Sequence, residues 1–233
     1  QAFGEFVSRF FHHYPLDELQ GKRLSDVFGS VYQWWQFMAS YDRRQPKIRL
    51  FNPGLAEDGW VSSHTVLVVL QRDMPFLVDS LRIELNRRSI PIYTIKSTVL
   101  TVVRDGPRLV RVQERNGTQA NEDHEALIVM EISAHSDTDE LAAIVASLHS
   151  VLAEVERVVS DYQPMRAAVL AAEQNLSFMQ DTACVARVQE TKAFLRWLTE
   201  DKFTFLGYSE YEFCDVDGKK TLREIPAQRL GIF

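Results

Sequence analysis

The feature that most constrains the fold is a continuous apolar run, Val66-Leu67-Val68-Val69-Leu70, that is followed closely by a helix start. A short apolar run rich in β-branched residues is typical of a strand that is covered on both faces. Asp73 is a good N-cap and Pro75 a good early helical residue, so a helix is predicted from there to about Arg88. The core therefore begins with a central strand that passes directly into a helix.

The segments after this helix predict three strands and a long helix. Residues 92–103 form a long strand in which Ile95, Val99 and Val103 share one face, residues 109–113 a shorter one, and residues 126–133 a third. A loop containing Asn116-Gly117 joins the second to the third. Apolar residues at helical spacing over 141–159 then predict a helix of about five turns, which Ser136 caps.

This order predicts an α+β fold, with a ferredoxin-like βαββα antiparallel sheet, helices on one face and one extra short strand. No later segment is an obvious closing strand. The first 60 residues predict a helical prelude: an aromatic helix that Pro15 ends, a second helix over 25–41 capped by Ser25 or Asp26, and a strand over 47–51. The first helix carries an aromatic stripe, for which core packing or a subunit contact is expected rather than a ligand-binding site; it consists of Phe3, Phe6, Val7, Phe10, Phe11 and Tyr14.

The C-terminal third predicts helices over 164–176 and 186–199 and then a hairpin, with strands over 203–213 and 221–225 that turn at Asp217-Gly218. The hairpin either begins a second sheet domain or pairs onto the free edge of the first sheet. We therefore expect four regions: a prelude over 1–60, the core domain over 61–160, a helical linker over 161–201 and a truncated second sheet domain over 202–233. The chain ends suggest a piece of something longer.

Composition and spacing argue against several function classes. The formal charge of −6 argues against nucleic-acid binding, and no apolar run approaches the length of about 20 residues that spans a bilayer. The glycines are too scattered for a dinucleotide fingerprint or a phosphate-binding loop, and the histidines lack metal-ligand spacing. Cys184 and Cys214 are expected to be reduced thiols of a cytoplasmic protein. We expect neither catalytic nor metal-binding nor cofactor-binding residues in this chain.

Three segments carry a family resemblance. Asp73-Met74-Pro75-Phe76-Leu77-Val78-Asp79-Ser80, followed by Asn86-Arg87-Arg88-Ser89-Ile90-Pro91-Ile92-Tyr93, resembles the N-terminal ACT-like region of the large NAD-specific bacterial glutamate dehydrogenases. The segment Phe194-Leu195-Arg196-Trp197-Leu198, with Phe203-Thr204-Phe205-Leu206-Gly207-Tyr208-Ser209-Glu210-Tyr211, resembles the region that follows in the same family. With Trp34-Trp35-Gln36-Phe37, the resemblance covers most of the chain from about Leu24 onward.

The resemblance implies a function for the parent protein. That protein would oxidise L-glutamate to 2-oxoglutarate and ammonia with NAD as its cofactor, in an active site outside this chain, and would form a homo-oligomer. The partners of this chain would be the remainder of the same polypeptide and a small amino-acid effector, with no nucleic acid and no membrane.

The resemblance also implies a site, because ACT domains bind amino acids where the first strand passes into the first helix. The candidate effector-binding residues here are Arg72, Asp73, Met74, Pro75, Phe76 and Asp79. Phe76 departs from the ACT pattern, since a glycine commonly follows the proline and a bulky side chain would fill the space for a close backbone approach. Asp73 and Pro75 alternatively only start the helix, and Asp79 alternatively is a solvated charge.

Three hypotheses follow. The first is a regulatory and assembly module of a glutamate dehydrogenase, and the second is a purely structural oligomerisation or interdomain scaffold without a ligand. The third is a small ferredoxin-like hydrolase of the acylphosphatase kind, with Arg72 as an anion holder. That chemistry also needs a positioned amide, and Asn86 lies about three helical turns away from Arg72.

Overall fold

The structure is a computed structural model that describes residues 2–12, 23–113, 123–176 and 185–233, apart from 217 and 218. The chain divides into two compact units, Gln1–Ala153 and Glu154–Phe233. Several predicted features lie outside the described residues: Tyr14 and Pro15, the loop at Asn116-Gly117, Cys184 and the turn at Asp217-Gly218. The first helix was predicted to continue to Tyr14, but it ends at Phe10 and a turn follows at residues 11 and 12.

The first unit is an α+β fold. Its elements are α1 (Ala2–Phe10), α2 (Leu24–Met38), β1 (Lys47–Phe51), α3 (Leu55–Asp58), β2 (Thr65–Arg72), α4 (Leu77–Arg87), β3 (Ile92–Asp105), β4 (Arg108–Gln113), β5 (Asp123–Ile132) and the start of α5 (Thr138–Asn175).

The five strands form one antiparallel sheet in the order β1-β2-β5-β3-β4. Strand β2 is an interior strand, and residues 65–71 are buried, which confirms the interpretation of the apolar run. The strand that closes the sheet beside β2 is β1, where Ile48 pairs with Val69. It precedes the core in the sequence, so a search for a closing strand after the last helix could not find it.

Helices cover both faces of the sheet. Side chains alternate along a strand, so Leu127 and Val129 of β5 face one side and Ala126 and Ile128 the other. Helices α1 and α2 pack on the first side in one core cluster with Leu127 and Val129. The N-terminal end of α4 adjoins Ala126 and Ile128, and hydrogen bonds among Glu84, Arg88 and Ser147 join α4 to α5. The two core helices thus share one face, as predicted, and the prelude covers the other.

The aromatic stripe of α1 is used within the unit. Phe6 is fully buried and Phe10 is 7% exposed. Phe3 contacts Phe28, Tyr32 and Trp35 of α2 in edge-to-face geometry. Of the two interpretations of this stripe, the structure shows core packing.

Three predicted helix starts were wrong. Helix α2 begins at Leu24 after Arg23, before the predicted cap at Ser25 or Asp26. Helix α4 begins at Leu77 after Phe76, beyond the predicted cap at Asp73. Neither start has a side-chain cap. Helix α5 is capped by Asp137 rather than Ser136, because the Asp137 Oδ1 accepts hydrogen bonds from the backbone N–H groups of Asp139 (2.8 Å) and Glu140 (3.0 Å).

The predicted break before Pro164 was also wrong, because α5 continues through it to Asn175 as one helix of 38 residues. Proline has no N–H, so the helix lacks one backbone hydrogen bond at this point. The alanine-rich sequence that follows favours the helix strongly enough to continue. Predicting a separate helix gave too much weight to one residue.

The second unit contains short elements. They are α6 (Val185–Trp197), one turn of π-helix at Leu198–Lys202, β6 (Gly207–Tyr208), β7 (Tyr211–Val216), β8 (Lys219–Glu224), a 3₁₀ turn at Pro226–Gln228 and β9 (Leu230–Gly231). The predicted strand over 203–213 is two strands, β6 and β7. Strands β7 and β8 form the predicted hairpin with Cys214 opposite Thr221, in a two-stranded sheet of their own, while β6 pairs with β9.

Candidate functional site

The turn between β2 and α4 has an unusual backbone. The Asp73 N–H donates to the His124 carbonyl oxygen (2.9 Å), which extends the β2–β5 pairing by one residue. Phe76 then adopts the left-handed conformation, with φ 72° and ψ 1°, immediately before α4. This conformation costs a residue with a side chain about 1–2 kcal/mol relative to the right-handed region. The position where ACT sequences commonly have glycine is therefore one that favours glycine here too.

A small cavity of about 160 Å³ lies at this helix start. Its lining consists of Asp73, Met74, Phe76, Leu77, Val78 and Asp79 of the turn and first helical residues, and Ser97, Ala126 and Ile128 of the sheet. The first N–H groups of a helix have no acceptor within the helix, and no side chain caps α4. This terminus can therefore accept a carboxylate.

Negative charge also lies at the turn. Asp73 and Asp79 both line the cavity and are exposed. Carboxylates attract an ammonium group, while the helix N-terminus attracts a carboxylate. The two features together suit a ligand that carries both charges, as an amino acid does.

A buried amide lies on the same face of the sheet as the cavity, although it does not line the cavity. Gln71 is 3% exposed and pairs with Ala126 in the register of β2 and β5, so both side chains lie on the α4 face. The Gln71 Oε1 has no hydrogen-bond partner in the described part of the chain. A buried acceptor without a donor costs about 1–3 kcal/mol, so this amide is a strained polar group of the α4 face.

The structure brings together four of the six candidate residues, Asp73, Met74, Phe76 and Asp79. Pro75 does not line the cavity, and neither does Arg72, which pairs with Glu125 on the opposite face of the sheet. Sequence reasoning also missed five lining residues: Leu77 and Val78 follow the turn directly, whereas Ser97, Ala126 and Ile128 reach it only through strand pairing. The alternation of side chains along strands β3 and β5 was the available signal for the face on which these residues lie. The pairing register of the two strands was not available from the sequence.

The opposite face carries a buried ion-pair cluster around Glu125. Glu125 is fully buried, and Arg104 donates to both of its oxygens, with Nε–Oε1 and Nη2–Oε2 distances of 2.7 and 2.8 Å. Arg43, in the left-handed conformation at φ 62°, donates to the same carboxylate from Nε (2.8 Å). These arginines tie the segment between α2 and β1 to the sheet. The paired carboxylate is therefore a structural element.

A hydroxyl, an imidazole and a carboxylate also follow one another after β5. The Ser133 Oγ lies 3.0 Å from the His135 Nε2, and the His135 Nδ1 lies 3.1 Å from the Glu140 Oε1. The backbone N–H of His135 donates to the Thr65 Oγ1 (2.8 Å), and the Asn52 Nδ2 donates to the His135 carbonyl oxygen (2.8 Å). Ser133 and His135 do not line the cavity at the turn. We therefore assign this group to holding the loop before α5 in place.

Within the described ranges, no group of three or more histidine, cysteine or acidic residues is placed to hold a metal ion. None of the helices described there has the length and apolar character needed to cross a membrane.

Comparison with known proteins gives two kinds of match. Residues 6–148 match the family model described as glutamate dehydrogenase, ACT1 domain. The chain is 43% identical over 230 residues to an NAD-specific glutamate dehydrogenase of Halomonas elongata, and 37% identical over 215 residues to one of Pseudomonas aeruginosa. These alignments cover 98% and 91% of this chain but only 14% and 13% of the two relatives. The chain thus spans a small part of the length of these proteins.

Proposed function

The chain belongs to the glutamate dehydrogenase ACT1-domain family, and on that premise we propose that it is the non-catalytic N-terminal regulatory and assembly module of a large NAD-specific glutamate dehydrogenase. In this proposal the parent enzyme converts L-glutamate, NAD⁺ and water to 2-oxoglutarate, ammonium, NADH and a proton. The names of the two relatives support this reaction for the parent.

The β2–α4 turn does not fit NAD. A dinucleotide site needs small residues that let the backbone approach the pyrophosphate. At the β2–α4 turn the corresponding position holds Phe76, and the carboxylates of Asp73 and Asp79 would repel phosphate. The cavity of about 160 Å³ is also below the range of about 300–1,000 Å³ that is usual for cofactor sites. We therefore assign NAD binding to another part of the parent enzyme.

The regulatory part of the proposal is that the β2–α4 turn binds an amino-acid effector. The observation that carries it is the uncapped start of α4 beside a cavity lined by two carboxylates. The effector carboxylate would accept hydrogen bonds from the first N–H groups of α4, and its ammonium group would pair with Asp79, which lines the cavity. Charge-assisted hydrogen bonds of this kind are the strong ones.

Calorimetric titration of the 233-residue chain with L-glutamate, L-arginine and L-aspartate tests this site. We expect at least one of them to bind, and the variant Asp79→Asn to weaken that binding by about tenfold, the loss of one charge-assisted hydrogen bond. Asp139→Asn is the matched control, since Asp139 is also an exposed acid in the first turn of a helix. Unchanged affinity in Asp79→Asn would contradict the site, and no binding at all would remove the sensing function.

The second candidate function is a purely structural oligomerisation or interdomain scaffold. One observation favours it: Ile95 and Val99 lie on the α4 face of β3 and are 37% and 49% exposed. Light scattering of the chain measures the assembly directly. We expect a homo-oligomer, and a strict monomer at all concentrations would argue against self-association by this chain.

A further inference from the structure

Helix α6 is held against α5 by one of its faces. On that face Lys192 and Arg196 pair with Glu173 of α5, with Nζ–Oε1 and Nη2–Oε1 distances of 3.6 and 2.9 Å. Phe194 and Trp197 follow Lys192 by two and five residues, which places them about 160° and 140° around the helix axis from it. None of the described residues of α6 is buried. The aromatic face of α6 is therefore turned away from α5.

Three exposed rings meet on this outer face. Phe194 and Trp197 stack with centroids 6.0 Å apart, and Phe203, which follows the turn of π-helix, meets Trp197 edge to face at 5.0 Å. We call these three residues the α6 aromatic surface. Their side chains are 54%, 42% and 48% exposed in chain order. Contiguous exposed apolar groups mark interaction sites on soluble proteins, and aromatic anchors carry much of the binding energy at such sites.

The size of the α6 aromatic surface decides between two kinds of occupant. An aromatic side chain offers about 200 Å², so the three half-exposed rings together present about 300 Å². Two copies that met through this surface would bury about 600 Å² in total, whereas a stable interface between separate molecules buries about 1,200–2,000 Å². The surface alone would therefore not hold a second copy. A tethered segment needs less area, because the tether keeps it at an effective concentration in the millimolar range.

The two similar glutamate dehydrogenases contain much more polypeptide than this chain. The chain aligns with only 14% and 13% of their lengths, and α6 lies beyond residues 6–148, which match the ACT1 model. We propose that the α6 aromatic surface is the docking site of the polypeptide that follows residue 233 in the parent enzyme, through an apolar segment of that polypeptide. This inference rests on the N-terminal position of the chain in the proposed function. It does not depend on an effector at the β2–α4 turn.

A photo-crosslinking amino acid in the full-length parent enzyme identifies the occupant. The residue p-benzoylphenylalanine replaces Phe194, which keeps an aromatic side chain at this position, and mass spectrometry maps the peptides to which it couples. We expect a peptide from beyond residue 233. The same amino acid at Gln189, which is exposed and lies about 140° around the helix from Phe194, is the control and should not yield this peptide. Cross-links only within residues 1–233, or no cross-link, would overturn the proposal.

Substitutions test the energetic contribution of the surface. In the full-length enzyme, Phe194→Ala and Trp197→Ala should each speed hydrogen exchange of the backbone amides over residues 198–205 by about tenfold, because an aromatic anchor of the docked segment is lost. The same substitutions should have a smaller effect in the 233-residue chain. Phe213→Ala is the control, since this ring of β7 is 80% exposed and lies outside the surface. Equal effects in the two proteins would assign the rings to folding alone and overturn the proposal.

The concentration of the 233-residue chain tests a second copy as the occupant. We expect exchange over residues 198–205 to stay constant as the concentration rises. Self-association through another face, such as that of Ile95 and Val99, leaves this exchange unchanged. Exchange that slows at higher concentration would make a second copy the occupant and overturn the proposal.

Amino-acid binding separates this inference from the proposed sensing site. Phe194→Ala should leave the affinity of the 233-residue chain for its amino acid unchanged, because the docking site does not include the β2–α4 turn. A cross-link beyond residue 233 in an enzyme whose chain binds no amino acid would support docking and contradict sensing. Amino-acid binding without that cross-link would support sensing and overturn docking.

Discussion

At the scale of single residues, Phe76 shows how far a sequence can locate a site. The sequence placed a bulky residue where ACT sequences commonly have glycine, but it did not give the conformation. The structure shows a left-handed backbone at φ 72°, and such a conformation depends on how β2 and α4 meet. The departure from the family pattern and the backbone strain therefore occur at the same residue, Phe76.

Two substitutions of Phe76 test the strain. Phe76→Gly and Phe76→Ala both remove the ring, but only glycine adopts this conformation without a steric penalty. We expect Phe76→Gly to be more stable than Phe76→Ala by about 1 kcal/mol, the left-handed penalty of about 1–2 kcal/mol less the greater entropy of glycine in the unfolded chain. Urea denaturation measures the difference. An alanine variant as stable as the glycine variant would contradict the assigned backbone.

Glu84 is the second residue with a measurable consequence. It is 5% exposed, and hydrogen bonds from Arg87, with further ones from Ser147 and Arg88, lower the pKa of its carboxyl to about 2. Because the pKa is lower in the folded state, its stabilisation is fully present above the ordinary value of 4.5 and is lost as the pH falls towards 2.

Replacing this carboxylate tests the pH dependence. We expect Glu84→Gln to lower the free energy of unfolding by about 1–3 kcal/mol at pH 7, since Arg87, Arg88 and Ser147 lose a charged acceptor at a buried position. The difference from wild type should shrink between about pH 4.5 and pH 2. Urea titrations across that range measure it, with Glu156→Gln as the control at an exposed position of α5. A difference that does not vary with pH would contradict the paired carboxylate.

At the scale of elements, local signals predicted the strands of the core well and their partners poorly. Residues 47–51 were predicted as a strand and form β1 at those bounds. Its pairing with β2 was not predicted, because strand pairing depends on contacts that are distant in sequence. The same limit applies to the cavity at the turn, since Ser97 and Ala126 reach it through β3 and β5.

Helix ends show a different limit. Helix α4 starts four residues after the predicted cap at Asp73. The N–H of Asp73 continues the β-ladder to His124, and the β-pairing therefore determines where the helix can begin. Capping preferences amount to about 1 kcal/mol, which tertiary contacts override.

The pair of strands β6 and β9 depends on one glycine. Gly231 has φ +68°, and a Cβ at this position would lie 2.2 Å from the Leu206 carbonyl oxygen. We expect Gly231→Ala to open the pairing, because backbone atoms must move, with a cost above about 2 kcal/mol. Hydrogen exchange of the Ile232 amide, which donates to the Leu206 carbonyl oxygen (3.0 Å), reports the opening.

Gly106→Ala provides the matched control for this substitution. Gly106 also has a positive φ, +54°, but a Cβ added there would have no described atom within 4 Å beyond its chain neighbours. Its replacement should cost only about 1 kcal/mol of conformational energy. Equal effects of the two substitutions on their local amides would contradict a steric role for Gly231.

At the scale of the whole molecule, the sequence predicted a non-catalytic piece of a larger enzyme, and the family was confirmed. The α+β fold with its ACT-like antiparallel sheet was confirmed as well. The role of the aromatic helix α1 required the structure, because one stripe serves a core or an interface equally well. The regulatory role and the domain bounds over 1–60, 61–160, 161–201 and 202–233 stay predictions.

We expect this chain to transmit an amino-acid signal to a catalytic region elsewhere in the parent enzyme. The site at the β2–α4 turn carries this proposed function.

The most direct test is the rate of NAD⁺ reduction by the full-length parent enzyme at fixed glutamate, titrated with L-arginine and with L-aspartate. Wild type, Asp79→Asn and the control Asp139→Asn are compared, each relative to its own rate without effector. We predict that at least one amino acid changes the wild-type and control rates with the same half-maximal concentration, and that Asp79→Asn raises this concentration by about tenfold. An unchanged half-maximal concentration in Asp79→Asn, or a wild-type enzyme that responds to neither amino acid, would contradict the proposed sensing role.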